Sequence, residues 1–236
     1  LWGVATAPLW LAGAAASPDA RLWWWAAAAG IDLIGRALAH PIPGRRLYSV
    51  DVAFAGGHML ERYRLFLLIA LGETVVTTGT AIAAAPVTLL TVVTGSIALV
   101  GTIALWALGF GRAGRQTLRF VEGTSDPIFA SRHGSDVLTA MVAGLIALAV
   151  ANEEAIAHPQ ESGSVILNAL LCGGPLLYLL AQAWYFQVML QTRPRLRLLG
   201  GTALIVVGIA TLAAPRAVAL AVTAATLAIM AIIDRP

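Results

Sequence analysis

Four titratable side chains, His58, Glu61, Arg62 and Arg64, stand immediately before an uninterrupted apolar run, Leu65 to Leu71, that closes on Gly72-Glu73-Thr74. At about 100° per residue, Arg62 and Glu73 fall within about 20° of each other on one helix, and His58 lies one turn before Arg62. His58, Arg62, Glu73, Thr77 and Thr80 therefore form one polar stripe. The rise of 1.5 Å per residue sets Glu73 about 16 Å beyond Arg62. If Arg62 marks the inner interface of a bilayer, Glu73 is near its midplane. A charge there costs about 2.5–3.5 kcal/mol on insertion scales, so it needs a reason. A carboxylate at that depth either takes up a proton or meets a cation. The chemistry on offer is proton or small-ion handling, and the competing role is that of an interhelical packing partner. Gly72 beside it allows close approach of another helix. His58 and Arg64 are read as interfacial anchors.

Two further groups could join that stripe. Asp32 and Arg36 are four residues apart and share a helix face, as a pair that orients its helix or as a source of counter-charge for Glu73 through Arg36. Near the opposite side of the membrane stand Asn152-Glu153-Glu154 and Ala157-His158-Pro159. Glu153 and Glu154 are adjacent and cannot face the same way, so at most one is buried. Glu154 and His158 are spaced to meet at an outer mouth, as a proton path would need, although a histidine before proline also simply ends a helix.

The elements that would position these groups follow from composition. Of 236 residues, 59% are hydrophobic and 11% charged, well below the quarter or so that a water-soluble surface requires. The apolar residues come in blocks near the 20 or so that cross a bilayer. The expected fold is all-α: a polytopic transmembrane helical bundle of about eight segments, forming a single domain over 1–236. The segments fall near Leu1–Ala16, Arg21–Ala39, His58–Ala83, Pro86–Gly111, Asp136–Ala157, Val165–Leu190, Leu198–Ala213 and Ala217–Ile233, with a polar loop over about 112–135. Leu1 opens inside a hydrophobic run with no charged leader, as expected of a trimmed chain whose first segment is shortened.

All 15 basic residues are arginine. Taking loops alternately, one side holds Arg45, Arg46, Arg112, Arg115, Arg119, Arg132, Arg193, Arg195, Arg197 and Arg235, and the other only Arg21 and Arg216. The positive-inside rule assigns the rich side to the cytoplasm, and the absence of lysine with heavy alanine, glycine and valine use suggests a high-GC bacterial genome, so the expected location is a bacterial inner membrane, multi-pass. Trp23-Trp24-Trp25 and Trp184-Tyr185 then occupy the two aromatic belts. No phosphate loop, nucleotide fingerprint, metalloprotease helix or zinc spacing is present, and no nucleic-acid module. The lone Cys172 lies in an apolar segment. No metal, cofactor or enzymatic activity is expected; the expected partners are the lipid bilayer and a proton or small ion, and an oligomer is compatible with the sequence.

The stretch from His58 through Glu61-Arg62 to Gly72-Glu73-Thr74 resembles the hallmark of the bacterial low temperature requirement protein A family. Ala155-Ile156-Ala157-His158-Pro159 and Cys172-Gly173-Gly174-Pro175 through Tyr178-Leu179 resemble that family's outer turn and glycine-proline segment. Arg64 stands where glycine is commoner, and an earlier acidic-aromatic helix of the family is missing, so the resemblance implies roughly the C-terminal two-thirds. It implies a membrane protein without a settled biochemical activity. Three readings follow: an ion- or proton-linked transporter or channel built on Glu73, a non-catalytic stress or scaffold protein whose charges serve packing, and, least supported, an enzyme acting on lipid.

Overall fold

A computed structural model of the chain describes residues 2–38, 56–111 and 126–234. Eight helices account for nearly all of them: α1 Trp2–Ala15, α2 Pro18–Ala37, α3 Gly56–Ala84, α4 Leu89–Phe110, α5 Pro127–Ala157, α6 Val165–Val188, α7 Arg195–Ala210 and α8 Arg216–Ile233. Among the described residues there is no strand, only an isolated bridge between Ser162 and Pro215. The all-α expectation holds. Five helices, α3, α4, α5, α6 and α8, are long and apolar enough to cross a membrane. The shorter α1 has 14 residues and α7 has 16, and α2 carries Asp19, Arg21 and Asp32.

Local chemistry explains where the helices begin. Thr88 caps α4 by accepting from the Thr91 amide at 3.1 Å, and Ser164 caps α6 by accepting from Leu167 at 3.1 Å. The Asp126 carboxylate accepts from the Phe129 amide at 3.1 Å, with Pro127 in the first helical position. That cap corrects one boundary. The polar loop expected over 112–135 ends earlier, because the segment from Pro127 through Ser131-Arg132-His133 is the first part of the 31-residue α5. Its polar residues hide the helix from a hydropathy reading, whereas the Asp-Pro start signals it. Residues 112–125 lie outside the described residues, as do Arg45, Arg46 and Arg235.

The chain divides into two compact units. One contains the α1–α2 pair and Asp126–Arg132. The other contains α3, α4, α5 from His133 onward, and α6–α8. In the larger unit α4 packs on α8 and α3, and α6 packs on α7. Its core is apolar and built from Leu105, Leu108, Leu145, Leu171, Leu179 and Leu227, all essentially buried. Helices α5 and α6 approach backbone to backbone at Gly144 and Gly174; a Cβ at Gly174 would sit 2.6 Å from the Gly144 carbonyl oxygen and 2.9 Å from the Leu148 nitrogen. Small residues that let helices touch in this way are the usual means of association in lipid.

The outward faces are as apolar as the inward ones. Ile69, Ile103, Ile146, Val206 and Ile209 are all at least half exposed. In water such faces would aggregate; in a bilayer they face solvent of their own kind. The chain is an integral membrane protein.

Candidate functional site

The sequence-predicted stripe exists, but it faces away from the helices packed around it. Helix α3 buries Leu67, Leu71, Thr74, Thr78 and Ala81, and His58, Arg62, Glu73 and Thr80 lie on its exposed side, with Thr77 at the margin. The expectation that Glu73 is enclosed within the bundle is therefore corrected. The physical reason is the helical phase. Thr74, one residue on, faces α4, where its hydroxyl donates to the Leu71 carbonyl at 2.7 Å and lies 3.4 Å from the Thr102 hydroxyl. The 100° step between neighbours then turns Glu73 outward.

Gly72 does not meet another described helix either: a Cβ there, or at Gly79, would touch nothing within 4 Å. The stripe hydroxyls bond to their own helix, Thr77 to the Glu73 carbonyl at 2.8 Å and Thr80 to the Thr77 carbonyl at 2.9 Å, so neither supports the carboxylate. Glu73 lies about 16 Å from Arg62 on one side and about 16 Å from the helix end at Ala84 on the other.

The remaining predicted residues find partners other than those expected. In the smaller unit Asp32 accepts from the Trp10 indole at 3.2 Å. The Arg36 side chain lies outside the described residues, and with it the expected Asp32–Arg36 pair. Arg64 lies over the Phe110 ring at 5.4 Å, and His58 is 4.0 Å from Glu61, both consistent with anchoring at a helix end.

At the opposite end of the bundle Glu153 and Glu154 are both exposed. Glu154 and His158 do not pair. Glu154 accepts from Arg216 at 2.8 Å, and His158 sits 3.3 Å from Glu161, which also takes Arg216 at 2.9 Å. Arg216 thereby ties the α5–α6 turn to the α7–α8 turn. Backbone bonds reinforce the tie: Gly163 donates to Ala214, Arg216 to Glu161 and Ala217 to Pro159, each at 3.0 Å. A tertiary contact 62 residues away in sequence outcompetes the local spacing.

The most completely built charged group in the bundle is one the spacing rules missed. Arg197, read from the sequence as a loop arginine, is in the first turn of α7 and is 4% exposed. Its guanidinium donates to both Asp234 oxygens at 2.6 and 2.8 Å, to the Gln182 side-chain oxygen at 3.0 Å, and to the Leu108 carbonyl at 3.2 Å. It also lies over the Phe186 ring at 5.3 Å. Gln182 donates to the same Leu108 carbonyl at 3.2 Å, and Tyr178 donates to Leu105 at 3.1 Å. Four helices, α4, α6, α7 and α8, meet at this cluster. Each charge sits at the disfavoured end of its own helix, the cation at the start of α7 and the carboxylate at the end of α8. They are stable there because they face each other and the carbonyl end of α4. The available signal was Gln182, an amide in the middle of an apolar stretch.

Other buried polar groups are less complete. The Asn168 amide donates to the Gly208 carbonyl at 3.2 Å and lies 3.3 Å from Thr211. The Asn152 amide nitrogen and the Thr94 hydroxyl are buried without a hydrogen-bond partner. Among the described residues no cluster of three or more His, Cys, Asp or Glu could hold a metal.

The family model of the bacterial low temperature requirement A protein matches residues 1–232. An uncharacterised protein of Rhizobium meliloti (strain 1021) is 26% identical over 204 residues, covering 82% of this chain and 48% of that protein. The chain thus spans about half the length of the curated relative it matches. No solved structure matches.

Proposed function

The chain belongs to the bacterial low temperature requirement A family, and from that premise we propose that it forms part of an ion- or proton-linked transporter of the bacterial inner membrane, with Glu73 as the titrating group. The observation that carries this reading is the placement of Glu73. It is a lone carboxylate about midway along a helix long enough to cross a membrane, on a face flanked by open glycines and left uncovered by the helices packed on α3. A charged carboxylate at that depth is costly, and a proton or a cation removes the cost. Motion of a covering helix or of an ion past α3 would bind and release that proton, which is the coupling a transporter needs. The Asn152 amide nitrogen and the Thr94 hydroxyl, buried without a hydrogen-bond partner, add polar groups inside the bundle, and the reading involves no enzymatic step.

A second reading has its own support. The Arg197–Asp234 pair shows that this bundle keeps buried charge for packing, and Glu73 could serve a partner helix in the same way. The two are separated in proteoliposomes of the full-length protein, loaded with a pH-sensitive dye, by comparing wild type with Glu73→Gln. Transport predicts pH-dependent flux that falls at least tenfold in the variant while the unfolding midpoint in detergent stays the same. Absence of flux in both proteins, or equal flux in both, refutes transport. A lowered midpoint with unchanged flux establishes the packing role.

A further inference from the structure

On the arginine-rich side, the connection between α6 and α7 borders an open, shallow cavity of about 310 Å³ whose lining includes Gln187, Gln191, Thr192, Arg193, Arg195 and Leu198. We infer that this cavity binds a phosphate-bearing anion, whether the headgroup of an anionic membrane phospholipid or a soluble phosphate compound. Arginine alternates here at 193, 195 and 197, and the three do not share one fate. Arg197 turns inward and is neutralised by Asp234. Arg193 and Arg195 are exposed, their guanidinium groups make no hydrogen bond or ion pair with a described residue, and no carboxylate lines the cavity. A guanidinium fork is suited to phosphate oxygens, and this pocket has two.

Two of the other polar lining residues use donors locally. Gln191 donates to Val188 at 2.9 Å and Thr192 to Phe186 at 3.4 Å, which holds the turn in shape. The turn also keeps Gln191 at φ 50°, a left-handed conformation that costs a residue with a side chain energy and is kept only where the surroundings impose it. The Gln187 amide remains free to join the arginines. Pro194 offers α7 no side-chain cap, so the positive end of that helix adds to the same field.

The cavity opens beside apolar surface. Leu198, Leu199, Ile205 and Val206 on α7 are each about half exposed or more. An anionic lipid seated with its phosphate at the arginines would lay its acyl chains along this wall, the arrangement expected of basic pockets between membrane helices.

The test uses the full chain purified in mild detergent, incubated with phosphatidylglycerol or phosphatidylcholine and examined by native mass spectrometry. Wild type is compared with Arg193→Gln/Arg195→Gln and with Arg193→Lys/Arg195→Lys. Because both arginines are exposed, all three proteins are expected to share one unfolding midpoint without added lipid. The expected result is one phosphatidylglycerol retained per wild-type chain, with affinity falling roughly thirtyfold in the glutamine variant, about fivefold per lost charge, and largely kept in the lysine variant. Phosphatidylcholine is not retained. Retention that survives millimolar inorganic phosphate identifies the lipid as the source; wild-type binding of inorganic phosphate that displaces the lipid identifies a soluble one. Equal retention by wild type and the glutamine variant, with no phosphate binding by either, overturns the inference.

Discussion

Removing the Asp234 carboxylate should destabilise the bundle more than removing both members of its pair. Arg197 is 4% exposed and its partner carboxylate 12%, so the contact is almost free of solvent screening. Deleting one partner of such a pair commonly costs about 3–5 kcal/mol, because the other charge stays buried without compensation. For Asp234→Ala the lower end, about 3 kcal/mol, is expected, since the Gln182 oxygen and the Leu108 carbonyl still accept from Arg197. The double variant Arg197→Met/Asp234→Leu removes both charges and refills the volume with apolar atoms, so its net loss should be about 1 kcal/mol or less. The cycle then yields a coupling of at least about 2 kcal/mol. Reversible unfolding in mixed detergent, followed by circular dichroism for the four proteins of the cycle, measures it. A single variant within about 0.5 kcal/mol of wild type, or losses that simply add, would refute the idea that the two charges hold each other at the wrong helix ends.

Three other outcomes follow from the same structure. Gly174→Ala should lower stability by about 1–3 kcal/mol, since its Cβ meets the α5 backbone, while Gly173→Ala, whose Cβ meets nothing within 4 Å, should be close to neutral; thermal unfolding of the two neighbouring variants decides it. Arg216→Gln should cost only about 1 kcal/mol because its carboxylate partners are half exposed, and that cost should shrink as salt is raised from 0.05 to about 0.5 M. Tyr178→Phe deletes a single buried hydrogen bond to Leu105 and should cost about 0.5–1.5 kcal/mol, with helix content by circular dichroism unchanged.

Much of the fold was legible because lipid imposes a rule that sequence displays openly: backbone groups must be bonded within each apolar block, so long apolar blocks become helices. The third, fourth, sixth and eighth expected segments match α3, α4, α6 and α8 to within a few residues. The start of α5 was hidden because its first turns are polar, and only the Asp126-Pro127 cap marks them. The stripe on α3 was legible too, since helical periodicity alone puts Arg62, Glu73 and Thr77 on one side.

Which side of α3 faces the bundle was not legible. An apolar residue satisfies lipid and protein core equally well, so hydropathy carries no phase, and small contacts such as Thr74 with Thr102 and Ile82 beside Gly95 on α4 decide it. Partner choice escaped the sequence for a related reason. Glu154 and His158 are spaced to meet, and Arg197 and Asp234 are 37 positions apart, yet the distant pair forms and the local one does not. The sequence by itself determined a membrane-spanning helical chain with a stripe of charge on one helix. Only the tertiary structure decided which charges are neutralised and which are left to meet something else, because that depends on where helices cross, and crossing points are set by packing contacts that no single segment contains.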